Sequence, residues 1–377
     1  MDIVTFQSKL DFIKDLYSNE EWTERECRDD ILAALEEAHT KIENAFGKSL
    51  FRLRDGKHKP SLKAVEKVVR EFPSALSYED KHGIIPILHI GSHNYDACGF
   101  EYMPTLAKEG VMHNVRGEHG RGGLLATQPN TTMLDNNTLQ NLCFYSENKT
   151  AHLNVLKELR KMGLFVKSDI QEYSLLFSSI RSGRSEEQFE YLTDWDPDAL
   201  LDIDSLEIFS AECSRADLDI LFKAGFKHFP NIGGILFLHD TAGRMVLDVG
   251  LKWCYKEKVI SALHKILAPS SDYPILHHVY IKAPQHVNLF AKMFRWAYHL
   301  KDHNNRTLHQ AVLAAGPEVM NANSQLFAAL TDDQLLTKDP ITTLYPFAAM
   351  AVGEHAELGD VFELLRRQPS VFERLDE

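Results

Sequence analysis

The sequence predicts an all-α fold, in which helix pairs stack into a solenoid behind an N-terminal helical cap. Apolar residues recur at helical spacing along most of the 377 residues. An aspartate that precedes a turn and a short helix recurs every 30 to 37 residues from Asp135 onward. The stretch from Pro73 to Asp80 is echoed from Pro197 to Asp204, with the same seven-residue step from proline to aspartate. A short helix pair cannot bury its apolar faces alone, so the pattern requires stacked neighbours.

The clearest unit runs from Lys338 to Pro369. Asp339 predicts a turn, because the proline after it pushes its backbone out of the helical region and its carboxylate can bond nearby amides. Pro346 suits the first turn of a short helix, where no backbone amide is needed. In the longer helix that comes next, apolar residues share one face with Phe362 and Leu365, and we expect both side chains to be buried.

Each repeat of this unit begins with an aspartate before a turn and a short helix. We call these residues the unit-opening aspartates. Two helical stretches come after most of them, as after Asp240, where apolar residues from Val259 to Ile266 form the second helix. The first two aspartates are 55 residues apart, and the excess contains a glycine-rich insertion at about 114–132, predicted to be a loop or flexible segment. The unit-opening aspartates are Asp80, Asp135, Asp169, Asp204, Asp240, Asp272, Asp302 and Asp339.

The N-terminal stretch departs from this repeat. An amphipathic helix is predicted from Ile31 to Ile42, where apolar residues lie close to helical spacing between acidic residues. Because the end of a solenoid would otherwise expose an apolar surface, we expect residues 1–46 to form a helical cap and residues 47–377 to form the repeat array.

Three segments carry a resemblance to a known family. They are Asp240-x-x-Gly243-Arg244, the stretch RTLHQA at residues 306–311, and residues 343–351. Together they resemble the ankyrin signature, in which an aspartate, a glycine and a T-P-L-H-x-A helix opening precede a longer second helix. Over about residues 60–370 the chain is similar to the divergent ankyrin-like proteins of eukaryotic algae. The signature is degenerate, with Asn305 where glycine is usual, so short or incomplete hairpin fingers are expected.

The resemblance implies a non-enzymatic scaffold or adaptor for protein–protein interaction, whose partner the sequence does not identify. Contacts with the partner protein are expected beside the unit-opening aspartates, because the turn residues differ from unit to unit while the apolar positions keep their character. The predicted partner-binding residues are Tyr78, His82, His303, Asn304, Arg306, Lys338 and Thr342.

Charge and cysteine content limit the classes of function and compartment. The net charge of −13 disfavours binding to the phosphates of nucleic acid and suits a neutral or basic protein partner. The five cysteines never form a CxxC pair, which is typical of free thiols in a reducing compartment. No stretch resembles a signal peptide or approaches 18 apolar residues, so we expect a cytoplasmic protein, with the nucleus as second choice, and no membrane insertion.

The alternative is an enzyme or anion-binding protein whose site lies in the irregular region 91–134, with the solenoid as its support. The glycines from Gly117 to Gly123 can form a concavity of backbone amides, and His113 and His119 lie beside it in the sequence. A deep polar pocket there would favour this alternative. No hydrolase motif accompanies it, so no catalytic residue and no cofactor are predicted.

Two histidine clusters are candidates for metal binding. One contains His82, His89 and His93, and the other is the pair His277 and His278. Neither has an HExxH pattern. In an ankyrin-like helix opening the histidine bonds backbone groups between units, so no metal site is predicted.

Overall fold

The computed structural model describes residues 25–55, 60–91, 99–127, 136–144, 149–181, 186–202, 214–253, 256–267, 273–323, 325–326, 334, 336–352 and 358–367. Among them, β-type pairing is limited to two isolated antiparallel bridges, Thr127 with Asn137 and His239 with Met245. The predicted all-α class is therefore confirmed. Contacts divide the chain into two compact units, Met1–Ile208 and Phe209–Glu377, and each is described by itself.

The described part of the first unit is built from α-helices joined by turns. Its helices are α1 (Arg25–Phe51), α2 (Leu62–Glu71), α3 (Pro86–Gly91), α4 (Met103–Met112), α5 (Thr138–Phe144), α6 (Lys149–Lys161), α7 (Asp169–Glu172), α8 (Leu175–Arg181) and α9 (Glu186–Trp195). Short 3-10 helices lie at Arg52–Asp55, Pro73–Ser77, Phe100–Tyr102, Glu118–Gly123 and Pro197–Leu201. The predicted boundary at residue 46 falls inside α1, so no break in the helix separates an N-terminal cap from the rest of the unit.

The second unit has the same character. Its helices are α10 (Arg215–His228), α11 (Val246–Trp253), α12 (Lys256–Ile266), α13 (Ile275–Lys282), α14 (Val287–Met293), α15 (Leu308–Ala314), α16 (Pro317–Ala322), α17 (Pro346–Ala351) and α18 (Leu358–Arg367). Short 3-10 helices lie at Pro230–Ile232, Pro284–His286 and Arg295–His299. Across the residues that the structure describes in both units, no helix combines the length and apolar composition needed to cross a bilayer.

Side-chain caps fix where several helices begin. The Ser61 hydroxyl accepts from Ala64 N at 3.2 Å at the start of α2. At the start of α5, Asn137 Oδ1 accepts from Gln140 N and the amide of Asn137 donates back to Gln140 Oε1, both at 2.8 Å. Such reciprocal bonds satisfy amides that have no partner in the first turn of a helix, so these starts are encoded locally.

Apolar faces at helical spacing build the core of the second unit. In α12, Val259, Ala262 and Leu263 are all 0% exposed, as their i, i+3, i+4 spacing predicts. α12 packs on α10, where Leu218 and Leu221 are equally buried. The pairing of long helices is therefore set by the position of these apolar side chains.

The glycine-rich segment is packed rather than flexible over its described part, residues 114–127. A Cβ atom at Gly122 would lie 2.1 Å from Ala107 O, so glycine is required for the backbone to lie this close to α4. Val115 and Leu124 are 2% and 0% exposed. The expected flexible insertion is thus corrected to a close-packed irregular segment, while residues 128–132 lie outside the described residues.

The terminal helix α18 does not bury its predicted apolar face. Phe362 is 65% exposed and Leu365 is only partly buried. The prediction that both side chains are core residues is therefore wrong for Phe362. A helical apolar stripe identifies which residues share a face, but it does not establish that another element covers that face.

Truncating Leu263 to alanine should lower the free energy of unfolding of the second unit by about 2–5 kcal/mol, because the deletion leaves a cavity in a closed core. Truncating Phe362 should change it by less than about 0.5 kcal/mol, since that ring is mainly in solvent. Urea denaturation followed by circular dichroism measures both values. Equal losses for the two variants would show that α18 packs as tightly as α12.

Candidate functional site

Four unit-opening aspartates form turns with one hydrogen-bond pattern. We call these the finger turns and define them as residues 80–84, 240–244, 302–306 and 339–344. In the turn at Asp302, the carboxylate Oδ1 accepts from Asn304 N at 2.9 Å and from Arg306 N at 2.8 Å. The amide of Asp302 closes the turn by donating to Arg306 O at 2.9 Å. One carboxylate thus satisfies the amides of the turn that it opens.

The same bonds recur at the same offsets in two other finger turns. Asp80 Oδ1 accepts from His82 N at 2.8 Å and from Ile84 N at 3.0 Å. Asp240 Oδ1 accepts from Arg244 N at 2.7 Å. The amides of both aspartates donate to the carbonyl four residues later, at 3.0 Å in each case. The recurrence is therefore one of geometry as well as of sequence.

The finger turn at Asp339 is one residue longer. Its Oδ1 accepts from Ile341 N at 3.0 Å and from Thr342 N at 2.7 Å. The amide of Asp339 donates to Leu344 O at 2.8 Å, five residues later instead of four. The carboxylate still accepts hydrogen bonds from the amides of the turn, and the extra residue is accommodated inside the turn.

Each finger turn contains one residue with a left-handed backbone. Gly83 and Gly243 have φ of 72° and 73°, and Asn305 and Thr343 take equivalent positions with φ of 62° and 61°. Glycine is favoured there because it has no Cβ, and asparagine tolerates this conformation better than most residues. The turn at Asp302 therefore closes although glycine is replaced by Asn305.

Asp169 does not form a finger turn, contrary to the prediction that it opens a unit. Its carboxylate is fully buried at the start of α7, where it forms an ion pair with Arg121 and accepts from Val166 N at 2.8 Å. It therefore anchors the glycine-rich segment to α7. The predicted openers Asp135, Asp204 and Asp272 lie outside the described residues.

Side chains connect one finger turn to the next. Arg306 Nε and Nη2 donate to Asp339 Oδ2 and Oδ1 at 2.8 Å and 3.3 Å. Gln310 Nε2 donates to Lys338 O at 3.0 Å. His277 Nε2 lies 3.2 Å from Arg306 O, so this histidine bonds the backbone of the next turn along the chain. The strongest link is the two-bonded Arg306–Asp339 pair, because both partners are charged.

The Arg306–Asp339 pair also sets the charge state of the aspartate. Burial raises the pKa of Asp339, and the hydrogen bonds from Arg306 and Thr342 lower it by more, so the pKa lies below its ordinary value. The side chains of Arg306 and Asp339 are only 15% and 8% exposed. The pair is consequently a structural contact shielded from most of the solvent.

Two predicted partner-binding residues are committed to packing. Arg306 is held by Asp339. Tyr78 lies against Gly47 of α1, and its ring meets that of Phe51 edge-on with centroids 6.0 Å apart. The expectation that these two side chains project freely from their turns is therefore wrong.

The other five predicted residues remain accessible. His82, His303, Lys338 and Thr342 are exposed, and Asn304 is partly exposed. His303 and Asn304 lie in the turn at residues 302–306, Thr342 lies in the linked turn at residues 339–344 with Lys338 directly before it, and His82 belongs to the first compact unit. Their role in binding a partner stays a prediction.

The candidate metal-binding histidines pack against aromatic rings or bond the backbone. The ring of His89 lies against that of a phenylalanine of α1 with centroids 4.8 Å apart. His278 lies 5.9 Å from the Phe237 ring and 5.7 Å from the Tyr273 ring. Within the part of the chain that the structure describes, no three His, Cys, Asp or Glu side chains are arranged to hold a metal ion. His93 lies outside that part.

The described part of the irregular region contains an open depression instead of a deep polar pocket. Its volume is about 350 Å³, and it is lined by Arg116, His119, Gly120 and the chain from Leu125 to Thr127. Arg116 forms an ion pair with Glu79 at 2.7 Å. His113, which was expected beside His119, is exposed to solvent and is not part of the lining.

Sequence reasoning missed a second depression, of about 340 Å³, which we call the Tyr273 depression. Its lining comes from three segments that are distant in sequence, so residue spacing gave no indication that they meet. In the sequence, the feature that could have pointed to this depression is the pair of basic residues on either side of Asp302. The lining residues are Pro230, Asn231, Tyr273, Pro274, His278, Lys301, Asp302 and His303.

Replacing Arg306 by alanine should destabilise the second unit by about 3–5 kcal/mol, because it leaves the Asp339 carboxylate buried without its partner. Replacing the neighbouring exposed His303 should change the free energy of unfolding by less than about 0.5 kcal/mol. Chemical denaturation of the two variants tests this difference. If Arg306→Ala is as stable as His303→Ala, the ion pair does not join the turns in solution.

Buried histidines should make folding sensitive to mild acid. Burial lowers the pKa of His152 and of His309 from 6.5 to about 4. The unfolded chain gains these protons near pH 6.5, whereas the folded chain keeps both imidazoles neutral down to about pH 4. Stability is therefore full above pH 6.5 and should fall between pH 6.5 and 4, by about 1.4 kcal/mol per pH unit for each histidine.

The variant His309→Gln isolates one of these contributions. It should be less stable than the parent at pH 7, because it disturbs a buried site. Below pH 6.5, however, its stability should fall less steeply, because its unfolded chain takes up about one proton fewer. Urea denaturation at several pH values between 7 and 4.5 gives the slopes. Parallel slopes for variant and parent would contradict a neutral buried His309.

No protein-family model matches the chain, and no curated protein sequence matches it. The function is therefore inferred from the finger turns and their surroundings.

Proposed function

We propose that this chain is an ankyrin-like repeat protein that binds another protein as a scaffold or adaptor and is not an enzyme. The observation that carries the proposal is the recurrence of the finger turn. In all four turns the aspartate carboxylate bonds amides of the turn and one residue is left-handed, and three of the turns share the same offset of four residues. In three of them the next helix begins six residues after the aspartate, as α11 does at Val246 after Asp240.

The packing of the short helices supports a stacked array. In the first unit α3 packs on α5, and α5 packs on α8. In the second unit α13 packs on α15, and α15 packs on α17. Each helix in these series contacts the corresponding helix of its neighbour, which is the nearest-neighbour packing that solenoids have.

The finger turns suit recognition of a partner's surface. Their backbones are fixed by the aspartate carboxylates, while their exposed side chains differ, as Lys81, Thr241 and His303 do one residue after each aspartate. Rigid turns that present different side chains favour binding of one extended partner over several neighbouring turns. The depressions beside them are open, which fits a protein surface better than a small substrate that must be enclosed.

A cytoplasmic or nuclear location agrees with this function. The five cysteines lack the paired spacing typical of secreted disulfide-bonded domains. Burial raises the pKa of the Cys143 thiol to about 12, so this thiol stays protonated and unreactive at neutral pH. The net charge of −13 favours a protein partner over nucleic acid.

Alanine at His303 and Lys338 together should weaken partner binding tenfold or more, about 1.4 kcal/mol, because His303 lies in one finger turn and Lys338 directly precedes the finger turn linked to it, and both are exposed. The partner is first identified as a stoichiometric companion in affinity purification from the source cells. Its Kd is then measured by calorimetry with the purified components. Arg306 is left unchanged, since it holds the fold together.

The matched control is Lys292→Ala, which removes an exposed lysine from α14. This variant should bind as the parent does. Affinity that survives the His303 and Lys338 substitutions but is lost when residues 117–123 are shortened would place the contact surface on the glycine-rich segment instead.

A further inference from the structure

We propose that the Tyr273 depression binds an acidic segment of the partner protein, with a carboxylate at Lys301 and His303 and an apolar side chain against Tyr273. The inference rests on the proposed function and specifies the chemistry of the partner. It depends on three features of the depression: a fixed aromatic floor, two exposed basic residues that pair with no described residue, and an aspartate whose Oδ1 is bonded to the amides of its own turn.

The floor is held in place by contacts on several sides. The Tyr273 ring stacks on His278 with an interplanar angle of 16°, and it meets Phe226 edge-on at 4.6 Å between centroids. Its hydroxyl donates to Pro230 O at 2.9 Å. His278 stacks in turn on Phe237. A ligand therefore meets an apolar surface that is already ordered, which lowers the entropy lost on binding.

The rim carries two basic residues that are exposed to solvent. Lys301 and His303 line the depression, are exposed, and make no hydrogen bond or ion pair with the residues that the structure describes. Both flank Asp302, the acidic residue of the lining. Asp302 Oδ1 accepts from the amides of Asn304 and Arg306, which holds this oxygen in the turn, and Asp302 lies within ion-pair distance of neither basic neighbour.

A further positive charge lies close to the floor. Lys282 Nζ donates to Ile232 O at 3.0 Å and lies 5.9 Å from the centroid of the Phe237 ring. Burial lowers the pKa of His278 to about 4, with Lys282, His277 and His303 lowering it further and Asp302 opposing them. His278 is consequently neutral at pH 7, so the charges beside the floor are those of Lys282 and Asp302.

This arrangement is opposite in sign to the rest of the chain. The protein contains 54 acidic and 41 lysine and arginine residues, so its net charge of −13 repels an acidic peptide. A local basic rim on an acidic protein directs such a peptide to one place, because complementary charges steer association and like charges suppress wrong contacts. The proline and tyrosine walls favour an apolar residue next to the carboxylate.

The probe is a fluorescein-labelled, glutamate-rich peptide with one phenylalanine, and the reference is the same peptide with glutamine in place of glutamate. Fluorescence anisotropy with the full chain should show binding of the glutamate peptide that weakens as salt is added. The double variant Lys301→Gln, His303→Gln should bind it at least about tenfold more weakly, and Lys292→Gln should bind it as the parent does. Unchanged melting curves establish that the variants are folded.

Three results would overturn the inference. One is equal binding of the glutamine peptide, and another is full affinity in the double variant. The third is Lys301-dependent binding to vesicles containing phosphatidylserine with no binding of the peptide, which would assign the depression to a membrane surface. If the peptide fails to bind while the natural partner is still lost on substitution of His303 and Lys338, the acidic specificity is wrong and the proposed function stands.

Discussion

The structure depends on one interaction, the capture of turn amides by the carboxylate that opens each finger turn. An aspartate placed there supplies acceptors to amides that the tight backbone cannot otherwise pair. With those bonds made, the chain leaves the turn in a fixed direction, and the short helix begins at nearly the same distance from each aspartate. This local constraint sets where the next short helix begins.

The links between turns decide which side chains are available for function. Arg306 and Gln310 bind the next turn, and His277 binds the backbone of the turn at Asp302. Side chains that point across the stack are thereby removed from the surface. The side chains of His303 and Lys338 remain exposed to solvent. Residues of the same turn consequently differ in role, since Arg306 binds the next turn and His303 is exposed to solvent.

Features that depend on residues close together in the chain could be predicted from the sequence. Features that depend on contacts between distant residues could not. The turn at Asp302 results from an aspartate, a residue that tolerates a left-handed backbone, and a helix opening, all within a few positions. Asp169 has a similar local context, but its true partner, Arg121, lies 48 residues away and gives no periodic signal. The exposure of Phe362 and the assembly of the Tyr273 depression likewise depend on which distant elements are near, which spacing alone does not encode.

The longer turn at Asp339 shows that turn length and helix stacking are separable. One added residue moves the start of α17 to seven positions after the aspartate, yet α17 still packs on α15. Insertions and deletions at the tips can therefore accumulate during evolution without remodelling the core. For protein engineering, the same tolerance makes the tips suitable points at which to graft a foreign recognition loop.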